Sequence, residues 1–233
     1  MPGDQLDLPI LTAHGGGLLP VRLAPMQPTD GVAPFDDPAY LFEAWWPGVR
    51  AQAWIEGGRL IRLRAEGMAD ALTAFGELVD ELPGRLVEDD VLLDGWLLGL
   101  DEGGWLDTDL LRRRLAGDHH AGRPAFVASD LLWSAGNDWQ RRPFGARRQR
   151  LEAVLLDGDR CVVSHALRGE GTLLAEALAR FGLGAISARR LDARYRAGPA
   201  GDAWLRLPLV PEAITERPRL ALIQRLPFPE GSG

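Results

Sequence analysis

Lysine is absent from this chain. All 26 basic side chains are arginine. A guanidinium stays protonated at any physiological pH, so chemistry that needs an amine nucleophile is closed to the chain. Cysteine is nearly absent too. Cys161 stands alone, which excludes an internal disulfide and a thiolate metal cluster. It reads as a small buried apolar residue. No apolar run approaches the roughly 20 residues that a membrane-spanning helix needs, and residues 1–17 lack the basic start of a signal peptide. These absences predict a cytoplasmic protein that does not engage a membrane. Positive charge is also short overall. The net charge is −7 and the pI is near 5.2, so any nucleic-acid surface must be local. The mix of Arg, Ala, Gly, Leu and Pro fits a GC-rich genome, which explains scarce lysine but does not restore its chemistry.

What remains is an ordinary globular composition, with 46% hydrophobic and 25% charged residues. Residues 1–40 are rich in Pro, Gly and Asp and read as an irregular lead-in. Leu41–Ala51 and Ala53–Arg64 read as strands, with a hairpin turn at Gly57-Gly58. Ala69–Leu82 carries Leu72, Phe75, Leu78, Val79 and Leu82 at helical spacing and stops at Pro83-Gly84. Val91–Leu100 and Pro124–Trp133 read as strands, and Asp107–Leu115, Arg147–Leu156 and Gly171–Phe181 as helices. Ala185–Ser187, Ala203–Leu207 and Arg219–Leu226 complete the strands. The elements do not alternate strictly, which predicts α+β with antiparallel sheets flanked by helices rather than a doubly wound parallel sheet.

Several residues invite a functional reading. His119-His120 sits among Gly, Asp and Ala and reads as a solvated turn, not a metal site. Gly15-Gly16-Gly17 lacks the lysine of a phosphate-binding loop. Two arginine runs, Arg112–Arg114 and Arg141, Arg142, Arg147, Arg148 and Arg150, leave two readings open. They are solvated helix faces with acidic neighbours, or patches that contact phosphates on DNA or a partner.

The order of motifs resembles the adenylation domain of ATP-dependent DNA ligases, above all the bacterial double-strand-break repair type, over about residues 20–208. Phe35-Asp36-Asp37-Pro38 resembles the family's lead-in. Within the nucleophile motif Phe-Glu-x-Lys-Trp-Asp-Gly-x-Arg, this chain matches at Phe42, Glu43, Trp46, Gly48 and Arg50. It departs at Trp45, where the lysine belongs, and at Pro47, where the aspartate belongs. Arg64-Ala65-Glu66-Gly67 resembles a Ser-Arg-x-Gly turn with its arginine displaced. Leu93-Asp94-Gly95-Trp96 resembles Leu-Asp-Gly-Glu, with Trp96 in place of glutamate. Ser129-Asp130-Leu131-Leu132 resembles Phe-Asp-Leu-Leu, with Ser129 in place of the phenylalanine that stacks on adenine. The stretch Pro143 to Glu152 resembles the arginine-rich helix start. Gly182–Arg189 resembles Gly-Leu-Glu-Gly-x-Val-Ala-Lys, with Gly184 for glutamate and Arg189 for lysine. Trp204–Pro208 resembles Trp-x-Lys-x-Lys, with Arg206 at one lysine position.

The resemblance implies a nucleotidyltransferase fold: an irregular segment at 1–19, the ligase-like domain at 20–210, and a tail at 211–233 that can add one strand. It also implies an oligonucleotide-binding barrel of about 100 residues after the last motif, for which the 25 residues beyond Pro208 are too few. The activity it implies is attack of a lysine on the α-phosphate of ATP with metal help, and here the nucleophile is missing. The expected function is therefore a non-catalytic binding or scaffolding homologue connected with DNA repair. No cofactor or metal is expected, and DNA binding is expected to be weak and salt-sensitive, with a protein partner as the other option. The alternatives are an active ligase-class enzyme using ATP and magnesium, with an unrecognised nucleophile and a partner-supplied barrel, and a nucleotide sensor built on Arg50, Arg189 and Arg206. A sensor needs an open pocket, and Trp45 and Trp96 are large enough to fill one with core.

Overall fold

The computed structural model describes residues 17–210, 216–224 and 226. In chain order the strands are β1 (Met26–Gln27), β2 (Thr29–Asp30), β3 (Tyr40–Ala44), β4 (Val49–Glu56), β5 (Arg59–Ala65), β6 (Val91–Leu100), β7 (Arg123–Ser134), β8 (Asn137–Asp138), β9 (Cys161–Val163), β10 (Ala166–Arg168), β11 (Ala185–Arg190), β12 (Gly198–Pro199) and β13 (Trp204–Pro208). The helices are α1 (Leu78–Glu81), α2 (Thr108–Leu115), α3 (Phe144–Val154), α4 (Gly171–Ala179) and α5 (Leu220–Ile223). The expected α+β architecture with two main sheets is found. One sheet runs β5-β4-β6-β7-β8, with β9 added parallel to β7; the other runs β10-β3-β11-β13-β2. Pairing is antiparallel except for β1–β12, β13–β2 and β7–β9.

β6 and β7 form the centre because their sequences are apolar on both faces. Every residue of β6 is buried. One face packs Leu93 and Leu97 with Phe75, Leu78, Leu111, Leu151 and Val154. The opposite face packs Trp96, Leu98 and Leu100 with Phe42, Ile186, Leu178 and Ile223 of the second sheet and its helices. A third cluster, around Trp54, Trp133, Tyr195 and Trp204, closes one end. Gly57 and Gly58 both have positive φ (56° and 70°), the backbone that a two-residue hairpin between β4 and β5 requires.

Several sequence expectations are corrected. Leu41–Ala51 is not one strand: β3 and β4 lie in different sheets, and Pro47, which cannot donate to a ladder, sits in the crossing. Ala53–Arg64 is likewise the two arms of a hairpin. Ala69–Leu82 buries its apolar residues but is a chain of tight turns ending in one turn of helix. Asp70 Oδ1 accepts from Leu72 N (3.0 Å), Val79 N reaches back to Gly76 O, three residues earlier, and Gly76 lowers helix propensity. Arg219–Leu226 is not a strand. Leu220 and Ile223, one helical turn apart, bury into the core through α5. The lead-in contains β1 and β2, while residues 1–16, with Gly15 and Gly16, and much of the tail lie outside the described residues. Among the described residues no helix is long and apolar enough to cross a membrane.

α2 sits hard against β6. Its N-cap Asp107 accepts from Asp109 N and Leu110 N (2.9 Å each), and Asp107 N donates to Gly99 O (2.9 Å). A Cβ at Gly99 would lie 2.6 Å from Leu111 N and 2.7 Å from Asp107 O. Both are backbone atoms that cannot swing aside. Gly99→Ala is therefore expected to destabilise the protein by about 2–3 kcal/mol in urea melts, whereas Gly84→Ala, which meets nothing within 4 Å, is expected to leave the midpoint in place.

Candidate functional site

Asp94 on β6 and Asp130 on β7 are directly paired across the strands. Both are fully buried. A register shift follows at once: Gly95 pairs with Ala128, leaving Ser129 as the extra residue of a bulge. Two like charges placed opposite each other in the interior are unfavourable unless cations answer them. Arginines do so from three elements. Arg50 on β4 pairs with Asp94. Arg147 on α3 grips Asp130 with two bonds, Nε to Oδ1 (2.8 Å) and Nη2 to Oδ2 (2.7 Å). Arg189 on β11 reaches Asp130 Oδ2 (3.2 Å) and Ser129 Oγ (3.0 Å). A fourth arginine, Arg148, pairs with the buried Glu43 (2.5 Å) and with Glu152 (2.7 Å).

Aromatic rings complete the network. The Arg189 guanidinium lies 4.1 Å from the Trp204 ring centroid and that of Arg50 lies 4.3 Å from it. Arg50 also stands 5.5 Å from Trp96. Complete burial pushes the Arg189 pKa below its ordinary value, against the pull of Glu43 and Asp130. Tyr195 donates from its hydroxyl to Asp94 Oδ2 (2.6 Å) and accepts from Met26 N (3.0 Å). Burial, then the Asp94 charge, push that phenol well above its ordinary range.

Beside this network a cleft of about 640 Å³ opens, lined by Met26, Trp45, Gly48, Arg50, Arg64, Glu66, Asp94 and Trp96 among others. The expectation that Trp45 and Trp96 fill the pocket is thereby corrected. They meet edge to face, 4.8 Å between centroids at 70°, and form its wall. Trp46, next in sequence, is fully buried, with its indole N–H on Ser164 Oγ (3.0 Å), and Trp96 belongs to the same buried cluster. Of the eight candidates, Trp45, Gly48, Arg50 and Trp96 line the cleft and the other four do not. Ser129 is buried under Arg189. Gly184 is exposed, and a Cβ there would meet nothing within 4 Å. Arg206 lies over the outer side of Trp45 (5.4 Å) and faces Asp30 (3.4 Å).

The expected arginine patch at 141–150 is corrected as well. Arg147 and Arg148 are buried and held by carboxylates, and Arg150 pairs with Glu88. Only Arg141 and Arg142 face solvent. In the other run Arg114 is buried, bidentate to Glu77 (2.8 Å each), while Arg112 and Arg113 are exposed and paired with Asp109 and Asp118. Sequence reasoning missed Tyr195, a residue in an irregular loop whose hydroxyl bonds to residues more than 100 positions away.

Magnesium-ATP is poorly matched by this donor set. No lysine amine is present, Asp94 is engaged by Arg50 so that Glu66 is the one acidic lining residue without an ion pair among the described residues, and no group of three metal-ligating side chains occurs among them.

No family model matches the chain. Sequence relatives are DNA ligases. The multifunctional non-homologous end joining protein LigD of Mycolicibacterium smegmatis is 29% identical over 188 residues, covering 80% of this chain and 24% of that protein. A DNA ligase of Haloferax volcanii is 30% identical over 175 residues, covering 70% and 30%. Among solved structures, a mycobacterial DNA ligase D complexed with ATP and MES superposes with a TM-score of 0.67 at 25% identity, covering 80% of this chain and 60% of that one. The ligase domain of Mycobacterium tuberculosis LigD gives 0.67 at 26%, covering 79% and 58%. The chain spans about a quarter to a third of the curated relatives' length. Sequence and structure together match the adenylation domain of LigD and other ATP-dependent DNA ligases.

Two predictions follow from the buried charges. Asp130→Asn strips the counter-charge from Arg147 and Arg189 and is expected to cost about 3–5 kcal/mol in urea melts, while Asp202→Asn on the surface leaves the midpoint nearly unchanged. Cys161 is fully buried, and burial pushes its thiol up to about 12. It is expected to resist a thiol reagent at pH 8 in the folded protein and to react fully in guanidinium.

Proposed function

We propose that this chain is a non-adenylating homologue of the DNA ligase adenylation domain that serves as a binding or scaffolding module connected with DNA repair. One observation carries the reading: the chain has no lysine at all, and the motif resemblance puts Trp45, whose indole offers no nucleophile, at the family's lysine position. The charge arrangement supports it. The family's reaction needs carboxylates free to hold metal and cations free to hold phosphate. Here Asp94, Asp130 and Glu43 are bonded to Arg50, Arg147, Arg189 and Arg148. Releasing any of them would leave a bare buried charge.

Incubation with α-labelled ATP and magnesium, followed by a denaturing gel, tests the reading. No labelled protein band is expected from the natural chain. None is expected from Trp45→Lys either, because restoring the amine does not free the carboxylates. A labelled band from the natural chain would overturn the proposal and favour a ligase-class enzyme with another nucleophile. A band from the variant alone would overturn the account of the blocked carboxylates.

The open cleft favours a second reading, a nucleotide sensor. Arg50 lines the cleft, and its buried Nε has no acceptor among the described residues. The sensor reading named Arg189 and Arg206 as well, and neither lines the cleft. Thermal melts separate the two readings. A ligand at 100 times its dissociation constant stabilises by ~2.7 kcal/mol. Millimolar ATP with magnesium is expected to leave the melting temperature unmoved, and a clear ATP-specific rise would establish the sensor.

A further inference from the structure

Four charged side chains line the cleft: Arg50, Arg64, Glu66 and Asp94. Arg50 and Asp94 are paired with each other. Arg64 and Glu66 have no ion pair and no side-chain hydrogen bond among the described residues. Arg22 and Arg59 are also without ion pairs. What sets Arg64 and Glu66 apart is that both line one cavity, with opposite signs, side by side. Arg64 on β5 is in register with Gln52 on β4, and Gln52 with Asp94 on β6. One step on, Glu66 N donates to Arg50 O (2.8 Å), and Arg50 is in register with Trp96. Alternate residues of a strand point to one face, so these side chains form two rows on the cleft floor. Arg64 and Glu66 end the two rows, about 7 Å apart along the chain.

A tight turn fixes the place of Glu66. Ala65 and Met68 exchange both backbone bonds (3.0 and 2.9 Å) around Glu66 and Gly67, and Gly67 takes the positive φ (76°) that glycine allows there. The remaining walls are largely apolar. Trp45 is half-buried, with Trp96 edge to face against it and Arg206 over its outer side. Its ring is therefore offered to an occupant from the cleft side. Pro25, Met26 and Pro28 line the cleft from β1 and its flanks, and the two prolines have no N–H to give a phosphate.

We propose that the cleft binds a small aromatic zwitterion, an aromatic α-amino acid, with its carboxylate on Arg64, its ammonium on Glu66 and its ring against Trp45. One free charge of each sign is matched by a molecule that carries one of each. A nucleoside triphosphate brings several negative charges to one free guanidinium with a free carboxylate beside it. A wholly apolar ligand would cover both charges and answer neither. The cavity, about 640 Å³, lies in the range of small-ligand sites. The inference rests on the cleft and not on the non-adenylating reading, and ATP labelling of the protein leaves it untouched whichever way that result falls.

Isothermal titration calorimetry tests it with three indoles that differ in charge: L-tryptophan, tryptamine, which keeps only the ammonium, and indole propionate, which keeps only the carboxylate. L-Tryptophan is expected to bind about tenfold more tightly than either, the order that a hydrogen bond to a charged group contributes. Arg64→Gln is expected to bring L-tryptophan down to the affinity of tryptamine and to leave tryptamine unchanged. Glu66→Gln is expected to bring it down to that of indole propionate and to leave indole propionate unchanged. Trp45→Ala is expected to weaken all three ligands, and Trp45→Leu takes its place should that variant fail to fold in thermal melts. The proposal is overturned by no binding of L-tryptophan at millimolar concentration, or by either singly charged indole binding as tightly as L-tryptophan. It is overturned equally by a charge variant that leaves L-tryptophan unchanged, or that weakens the indole lacking the matching group by the same factor.

Discussion

Everything at the centre of this molecule answers to one constraint: Asp94 and Asp130 face each other across two buried strands. Moving a single ion from water to the interior costs several kcal/mol even after relaxation, and here two carboxylates of the same sign are placed side by side. The rest of the middle layer is arranged to offset that. Arg50 comes from the neighbouring strand, Arg147 from the helix behind and Arg189 from the opposite sheet. The two sheets are thus joined by charge as well as by apolar packing. The bulge at Ser129 is part of the same arrangement, since it offers Arg189 a hydroxyl beside the Asp130 carboxylate.

The absence of lysine bears on how this network can be built. An ammonium is a strongly hydrated point charge, whereas a guanidinium is planar, weakly hydrated and able to stack. Arg50 and Arg189 both use the Trp204 ring, and Arg189 also lies 5.2 Å from Phe144. Each meets an aromatic face and a carboxylate at once. Arg189 therefore directs its charge at protein groups, Asp130 and Ser129.

Much of the fold was legible because it rests on local pattern. β6 and β7 are apolar runs of strand length, and α2 has its Asp107 cap in the sequence. Errors arose where tertiary context overrode that pattern. The apolar spacing of 69–82 is helical, but Gly76 and the Asp70 turn let tight turns bury the same side chains. The strand expected at 219–226 is a helical turn because Leu220 and Ile223 meet the core one turn apart. At the site, four of the residues that the motif order groups, Trp45, Gly48, Arg50 and Trp96, line one cleft. That order could not give the direction of Trp45 and Trp96, which wall the cleft, or the depth of Arg147 and Arg148. A run of arginines reads as surface, and burial of a guanidinium depends on carboxylates distant in sequence, such as Glu43, 105 positions from Arg148.

The same network connects the interior to the outer face. Arg147 holds Asp130 with one edge of its guanidinium and with the other binds the carbonyls of Arg142 and Ala193. Tyr195 holds Asp94 and stands between Arg194 and Arg196. The buried aspartates are answered by residues whose remaining bonds run outward to two surface loops. A charged centre of this kind keeps its cost in desolvation whether or not it performs chemistry. It is a fixed point at which α3 and the 191–197 loop are tied together, through Arg147 and Tyr195.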